Sequence, residues 1–426
     1  MPGIFPPPKP CFAILRAKLF PLILSVLTAF GCQGNPGSAR TPPVASGRAP
    51  ATAASQPLPS LPPVRFRFHT TTLGPTRTLP AYAVCTGLDD AGAFCHLDRT
   101  GRFLPCSSAD NIIPKDGRTW CDYGIPIQDG TQLTLDPSSG LHSGRLYLSV
   151  DSPLFLRVDE TTGGLVQPDP ANGTDPNRFI RYDWIEFTLD RSGFHGNTTC
   201  VDQFGLPIAM TVTGRADPGH PLGPVGLAQA RSELFRAYLA TVPPAFASLA
   251  DPGQWRILAP AHGGFGDGGP DRAYLLPYID QMWRRYRGEP LVLTPDEGTF
   301  TGRVDAQDRI VFTRAGDATA YVIRGKPTSQ EAFLGNGVLA AGNGIEKVLG
   351  AQIAALLNRH LLETPLDWRD AAAYYRREPC NAYARFWHEQ GLDHRAYGFA
   401  YDDVNDQSSS LATPDPLAVD LAFRWD

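Results

Sequence analysis

Glu186 and Asp202 are the residues with the strongest claim to chemistry in this chain. Between Arg181 and Asp190, apolar and polar residues alternate. Trp184, Glu186, Thr188 and Asp190 fall on one face of a strand, and Ile185, Phe187 and Leu189 on the other. Arg191-Ser192-Gly193 breaks the run, and a second short strand is expected from Asn197 to Phe204. The stretch reads as a hairpin with polar groups along one side. Register decides whether the two acids can cooperate. A two-residue turn would leave them on opposite faces, whereas a loop from Ser192 to Gly196, with a glycine near each end, sets Glu186 directly across from Asp202. The longer loop is the expectation. Two carboxyls on one face can protonate a leaving oxygen and activate a water, which is the acid/base apparatus of glycoside hydrolysis. Acids on the wet face of a strand are more often solvent-facing groups, so spacing alone does not select this chemistry.

The residues around the pair do. Trp184-Ile-Glu-Phe-Thr-Leu189, followed by Asn197-Thr-Thr-Cys-Val-Asp-Gln-Phe-Gly-Leu-Pro207, resembles glycoside hydrolase family 64. Gly164-Leu-Val-Gln-Pro168, Ala355-Leu-Leu-Asn-Arg359 and Ala396-Tyr-Gly-Phe-Ala-Tyr-Asp-Asp-Val404 extend the likeness from about residue 64 to the C-terminus. The resemblance implies an endo-acting, inverting β-1,3-glucanase that releases short oligosaccharides. It also implies a thaumatin-like β-barrel or sandwich with a mixed α/β module, the two forming a crescent-shaped cleft. Glu186 is then the general acid and Asp202 the general base. Trp184, beside Glu186, is expected to raise its pKa and keep it protonated. Thr188, Asn197 and Thr199 are candidates to bond sugar hydroxyls, and Tyr397, Phe399 and Tyr401 to stack on pyranose rings. Phe194 and His195 fall where the family tends to carry an aromatic residue between the acids. The alternative is a non-catalytic β-glucan-binding protein of thaumatin-like fold.

The elements that must position these residues follow from periodicity. From Val64 to Met210 the signals are β: Val64–Phe68 alternates, and Ala81–Cys85 and Arg145–Val150 have strand length. After Gly214 the period becomes helical. Leu227, Arg231, Leu234 and Tyr238 recur on one face, then Ile279, Met282, Trp283 and Tyr286, then Ile345, Val348, Leu349, Ile353, Leu356 and Leu357. Strands are expected at 290–294, 309–313 and 320–324. The fold class is therefore mainly β with an α/β insertion: residues 64–212 a first β part, 213–370 the inserted module, and 371–426 the return to the β domain, entered through Tyr397–Tyr401. His262-Gly-Gly-Phe-Gly-Asp-Gly-Gly-Pro270 lacks the lysine of a phosphate loop and reads as a mobile loop on the cleft rim.

Composition bounds the rest. Hydrophobic residues make up 42% of the chain, enough for a sizeable core, while 42 Gly and 41 Pro favour strands and loops. A net charge of −5 with no basic stripe argues against nucleic acid as a partner. Lys9, Arg16 and Lys18 precede an apolar run from Leu19 to Phe30 that ends at Gly31-Cys32, the pattern of a lipoprotein signal over residues 1–32 with Cys32 lipidated. Residues 33–63, rich in Pro and Ala, read as a disordered tether. An exported monomer, secreted or held in a bacterial cell envelope by its lipid alone, is the expectation, acting on β-1,3-glucan without cofactor or metal. Six cysteines follow the tether, an even number that suggests three disulfides in an exported chain. Neighbour pairing gives Cys85–Cys95, Cys106–Cys121 and Cys200–Cys380, though other connectivities remain open.

Overall fold

The computed structural model describes residues 61–70 and 79–425. The signal segment, Cys32 and nearly all of the tether lie outside the described residues. Two sheets face each other across one apolar layer. The larger runs in the order Ser410–Thr413, Gly193–Thr198, Arg181–Asp190, Leu141–Val150, Ala81–Leu88, Phe94–Leu97, Phe103–Pro105, with Ile125–Ile127 also paired to Ala81–Leu88. The smaller runs Leu222–Gly226, Ile208–Gly214, Pro416–Phe423, Val64–His69, Gln132–Leu135. Phe66, Phe68, Ile185, Phe187, Leu189, Phe194, Met210, Val212, Leu421 and Phe423 fill the layer between them. Each comes from the apolar side of an alternating strand, so the period-2 pattern and the buried layer are one fact seen twice. Pro416–Phe423 lies parallel to Val64–His69 and antiparallel to Ile208–Gly214. The two ends of the described chain are thereby joined in one sheet.

Between Gly226 and Ser410 the chain builds helices and a small antiparallel meander, Leu291–Leu293, Phe300–Val304, Ile310–Arg314 and Ala320–Ile323. The three expected helices are present at Arg231–Thr241, Leu276–Gly288 and Gly344–Asn358. The last starts at a capping box: Asn343 accepts from the Glu346 backbone N–H, and Glu346 accepts from that of Asn343. It then buries Leu349, Ile353, Leu356 and Leu357. A second apolar cluster, from Cys200 to Tyr401, unites these elements and so reaches past both ends of 213–370. A third covers the outer face of the larger sheet, where Tyr147, Tyr182 and Trp184 pack under Leu154, Leu156, Val158, Leu165 and Ile180. The structure is mainly β, with its described α-helices confined to the segment between the β parts.

Two expectations need correcting here. Tyr397–Tyr401 is not a strand; it is irregular and runs into a bend and a turn from Phe399, and the first strand of the return is Ser410–Thr413. Asp402 accounts for this, because its carboxylate takes the Gly398 N–H and pins the segment as a loop. The described cysteines, Cys85, Cys95, Cys106, Cys121, Cys200 and Cys380, are free thiols rather than three disulfides. For the first pair the register supplies the reason: Cys95 stands opposite Gly87, so Cys85 is only its diagonal neighbour. Among the described residues no helix is long and apolar enough to cross a membrane.

Candidate active site

Strand Arg181–Asp190 buries Ile185, Phe187 and Leu189 in the layer between the sheets and turns Glu186 and Thr188 to the other face. The turn after it is tighter than expected. Asp190 pairs with Gly193 across Arg191-Ser192, and Ser192 donates its N–H and its hydroxyl to Asp190 Oδ1 at 2.7 and 2.5 Å. Gly193 has φ +117°, and a Cβ there would meet the Thr413 carbonyl oxygen at 2.1 Å. Only glycine closes this turn. Glu186 therefore stands opposite Asn197, not Asp202.

Asp202 reaches the acid by another route. The ladder ends at Thr198, and the chain folds back irregularly before pairing Gln203–Phe204 with Ile257–Leu258. That irregular segment is anchored at several of its peptide groups. Cys200 N–H donates to the Tyr397 carbonyl at 2.8 Å, Tyr383 OH donates to the Cys200 carbonyl at 2.7 Å, and Ala259 N–H donates to the Asp202 carbonyl at 3.0 Å. Beyond it, Gly205 and Leu206 donate their N–H groups to the buried Asp183 carboxylate at 2.8 and 3.2 Å. A Cβ on Gly205 would lie 2.0 Å from the Tyr182 carbonyl oxygen, so the close approach to the strand requires glycine.

Leaving the ladder frees Asp202 from the parity that would have placed it on the wrong face. Both acids converge on Arg145, the cross-strand partner of Glu186. Arg145 Nη2 lies 3.0 Å from Glu186 Oε1 and 3.6 Å from Asp202 Oδ2. Those two oxygens are thus at most about 6.6 Å apart, at or below the lower end of the 6.5–9.5 Å carboxyl spacing of inverting glycosidases. Arg145 Nε–H also donates to Glu186 Oε1 at 3.2 Å, and Trp184 donates its indole N–H to the same oxygen at 3.4 Å. Trp184 meets the acid as a donor, not as the apolar wall expected to keep it protonated. On the other side His262 Nε2 is 3.1 Å from Asp202 Oδ1.

The electrostatics follow from these contacts. Burial acts to raise the Asp202 pKa, but the His262 hydrogen bond together with the Arg145 and His262 charges holds it below the ordinary carboxylate value. For His262, burial disfavours the cation, yet the hydrogen bond and charge of Asp202, helped by Asp169, raise its pKa. Burial likewise opposes the Arg145 charge, and Tyr147, Glu186 and Asp202 outweigh it.

Of the other candidates, Thr188 and His195 face each other across the ladder on the Glu186 side. His195 Nε2 lies 3.3 Å from Ser192 Oγ. Asn197 and Thr199 are buried. Thr199 Oγ1 accepts from Val201 N–H at 3.2 Å, while Asn197 donates to the Thr198 carbonyl at 3.3 Å. Tyr397 and Thr199 line one small cavity with Trp184. Three candidates are elsewhere. Phe194 is fully buried between the sheets, its ring stacked on Phe187 at 5.7 Å, because the tight turn puts it on the inner side. Phe399 and Tyr401 belong to the second apolar cluster and offer no ring to a sugar. The expected rim loop is packed too: Phe265 is fully buried, and a Cβ on Gly269 would strike the Gly264 backbone.

Arg145 and His262 are the residues that sequence reading missed. Arg145 lies in a strand that was expected, and only its pairing partner was unknown. His262 ends a short helical turn, Pro260–His262, and nothing local to it signals an acid from a distant segment. Among the described residues no group of three or more His, Cys, Asp or Glu is placed to hold a metal ion.

A mainly β scaffold holds two carboxyls against one guanidinium, and comparison identifies the family. The model of a β-1,3-glucanase family, glycoside hydrolase family 64, matches residues 70–423, so the chain belongs to that family. A glucan endo-1,3-β-glucosidase of Cellulosimicrobium cellulans is 32% identical over 289 residues, which cover 65% of this chain and 51% of the relative. The chain thus spans about half the length of that relative. A crystal structure of a β-1,3-glucanase domain of the family from Clostridium beijerinckii is similar with TM-score 0.79 at 32% identity, covering 86% of this chain and 100% of that one. The laminaripentaose-producing β-1,3-glucanase of Paenibacillus barengoltzii, solved with laminarihexaose, is similar with TM-score 0.67 at 31% identity, covering 86% and 76%.

Proposed function

We propose that this chain is an endo-acting β-1,3-glucan hydrolase that inverts the anomeric carbon and releases short β-1,3-gluco-oligosaccharides. The observation that carries the reading is the convergence of Glu186 and Asp202, from a strand and from a loop, on one buried guanidinium. Asp202, kept ionised by His262 and Arg145, takes a proton from water as that water attacks the anomeric carbon. Glu186 delivers its proton to the departing glycosidic oxygen. Arg145 and Trp184 both bind Oε1, which leaves Oε2 as the oxygen free to deliver it. Thr188, His195, Asn197 and Thr199, on or next to the Glu186 face, bond sugar hydroxyls, and Tyr397 borders the site. The scaffold is thaumatin-like, with the segment 213–370 as a mixed α/β module and a crescent cleft between the parts. The chain acts as an exported monomer, anchored through a lipid on Cys32 or released.

Incubating the purified chain with linear β-1,3-glucan and separating the products tests this directly. Oligosaccharides born as the α-anomer, read by proton NMR before mutarotation, are expected. Binding of glucan without cleavage would replace the enzyme by a binding protein, and β-anomers at birth would overturn inversion.

A further inference from the structure

We infer that Arg145 is the positioning residue that holds the negative charge of the acid pair through turnover, compensating whichever carboxylate is ionised. The inference rests on Glu186 as acid and Asp202 as base. In an inverting displacement the glycosidic C–O bond breaks as the Glu186 proton passes to the leaving oxygen. A new C–O bond forms to the water oxygen, and the water's proton passes to Asp202. The pair holds one negative charge before the step, on Asp202, and one after it, on Glu186. The charge crosses the site while its total stays constant.

Arg145 stands where that crossing happens. Its Nη2 is 3.6 Å from the oxygen where the charge starts and 3.0 Å from the oxygen where it ends. One cation therefore reaches both ends without having to move. It is held for the purpose from every side. The β-ladder sets it opposite Glu186, and its guanidinium lies over the Trp184 ring, 5.0 Å from the centroid. Tyr147 faces it from its own strand and Asp202 from the irregular loop. His262 occupies the other oxygen of Asp202, which leaves Oδ2 turned toward the guanidinium. A side chain only 16% exposed and already in place spends no reorganisation at the moment of reaction, where charge stabilisation is worth most.

The test compares two substrates that differ in whether charge has to arrive on Glu186. Linear β-1,3-glucan needs its leaving oxygen protonated; a β-1,3-gluco-oligosaccharide with an activated aryl leaving group does not. Arg145→Met is expected to lower kcat on glucan by about 10²-fold, the scale of losing a preorganised electrostatic group, with little change in KM. The loss on the aryl substrate is expected to be clearly smaller. The acid-side limb of kcat/KM should move to higher pH, because Asp202 loses one of the two cations that keep it ionised. Arg145→Lys, which keeps the charge, should recover part of the loss. Equal losses on both substrates with an unmoved limb would show that Arg145 only packs the site, and would overturn the inference. Should Arg145→Met fail to fold, Arg145→Gln keeps donors, loses only the charge and carries the same expectation. Glu186→Gln and Asp202→Asn are assayed alongside. If both stay active, the assignment of the pair is what fails, and that outcome is distinct from equal losses at Arg145.

Discussion

At the scale of single residues, the two acids differ in what their loss should do. Glu186→Gln removes the proton that a sugar leaving group needs, so hydrolysis of glucan should fall by ~10²–10⁴-fold, and that of an activated aryl substrate by less. Asp202→Asn should cripple both, and added azide should restore turnover of the activated substrate with inverted product. Steady-state rates on the two substrates check this, and near-wild-type rates in both variants would remove the acids from the mechanism. His262 makes a separate claim through the pH profile. The pKa of Asp202 is held down in the fold, so the base stays ionised below the usual carboxylate range and activity should persist there. His262→Ala removes the hydrogen bond and charge that oppose burial, and the acid-side limb of kcat/KM should move to higher pH. His262→Gln, which keeps a donor near Nε2, should retain more of kcat. A limb that stays put in the alanine variant would assign His262 to packing alone.

At the scale of elements, the hairpin and the loop behind it do different work. The tight turn at Arg191-Ser192 sends Phe194 inward against Phe187 and Phe66. Phe194→Ala is therefore expected to cost about 3–5 kcal/mol, as deleting a buried aromatic does, and Phe194→Leu less, with KM for glucan unchanged in the milder variant. Urea unfolding and a Michaelis curve decide between this and a sugar-contacting role. The loop bearing Asp202 depends on Asp183 instead, which accepts the N–H groups of Gly205, Leu206 and, at 3.0 Å, Trp184. Burial pushes the Asp183 carboxyl up to about 8 against the pull of those donors. Asp183→Ala would orphan backbone donors just beyond the base, at roughly 1–3 kcal/mol for each unsatisfied group, and should lower stability and kcat together. Stability unchanged in urea would contradict that account.

For the whole molecule, a buried ionic network ties the helical segment to the returning chain. Arg359 Nη2 binds Asp402 Oδ1 at 3.0 Å, His388 Nε2 lies 2.9 Å from Asp402 Oδ2, and Asp402 also takes the Gly398 N–H. The Tyr397 carbonyl beside Gly398 receives the Cys200 N–H, so the network sits two short steps from Asp202. Burial would raise the Asp402 pKa, but His388 and Arg359 hold it below the ordinary value. Its contribution to stability is present above the unfolded-state value and is lost as pH falls through the depressed one. For His388, burial lowers and Asp402 more than restores the pKa. That contribution is full below the unfolded-state value and fades as pH rises through the raised one. Asp402→Ala should cost about 3–5 kcal/mol, the scale for leaving a buried charge unpaired, and should flatten the acid side of the stability profile measured by thermal unfolding. The free thiols make a simpler claim: titration of the unfolded chain without reductant should release at least the six of Cys85, Cys95, Cys106, Cys121, Cys200 and Cys380.

What the sequence determined by itself is what depends on period and on local chemistry. Alternation was enough to face Ile185, Phe187 and Leu189 inward and Glu186 outward, since the side-chain period of a strand is fixed by its backbone. Helical spacing located Arg231–Thr241, Leu276–Gly288 and Gly344–Asn358 for the same reason. Tertiary structure decided everything that joins distant segments. Whether Asp202 could meet Glu186 turned on where the chain left the ladder, and no periodic signal marks a departure. The glycine that closes the Arg191-Ser192 turn was visible, but the strand lying against it, ending at Thr413, was not. Arg145 became the partner of both acids through a register between strands, and His262 through the pairing of Gln203–Phe204 with Ile257–Leu258. Such pairings are set by the sum of many burial energies across the fold, and no single stretch of residues carries that sum.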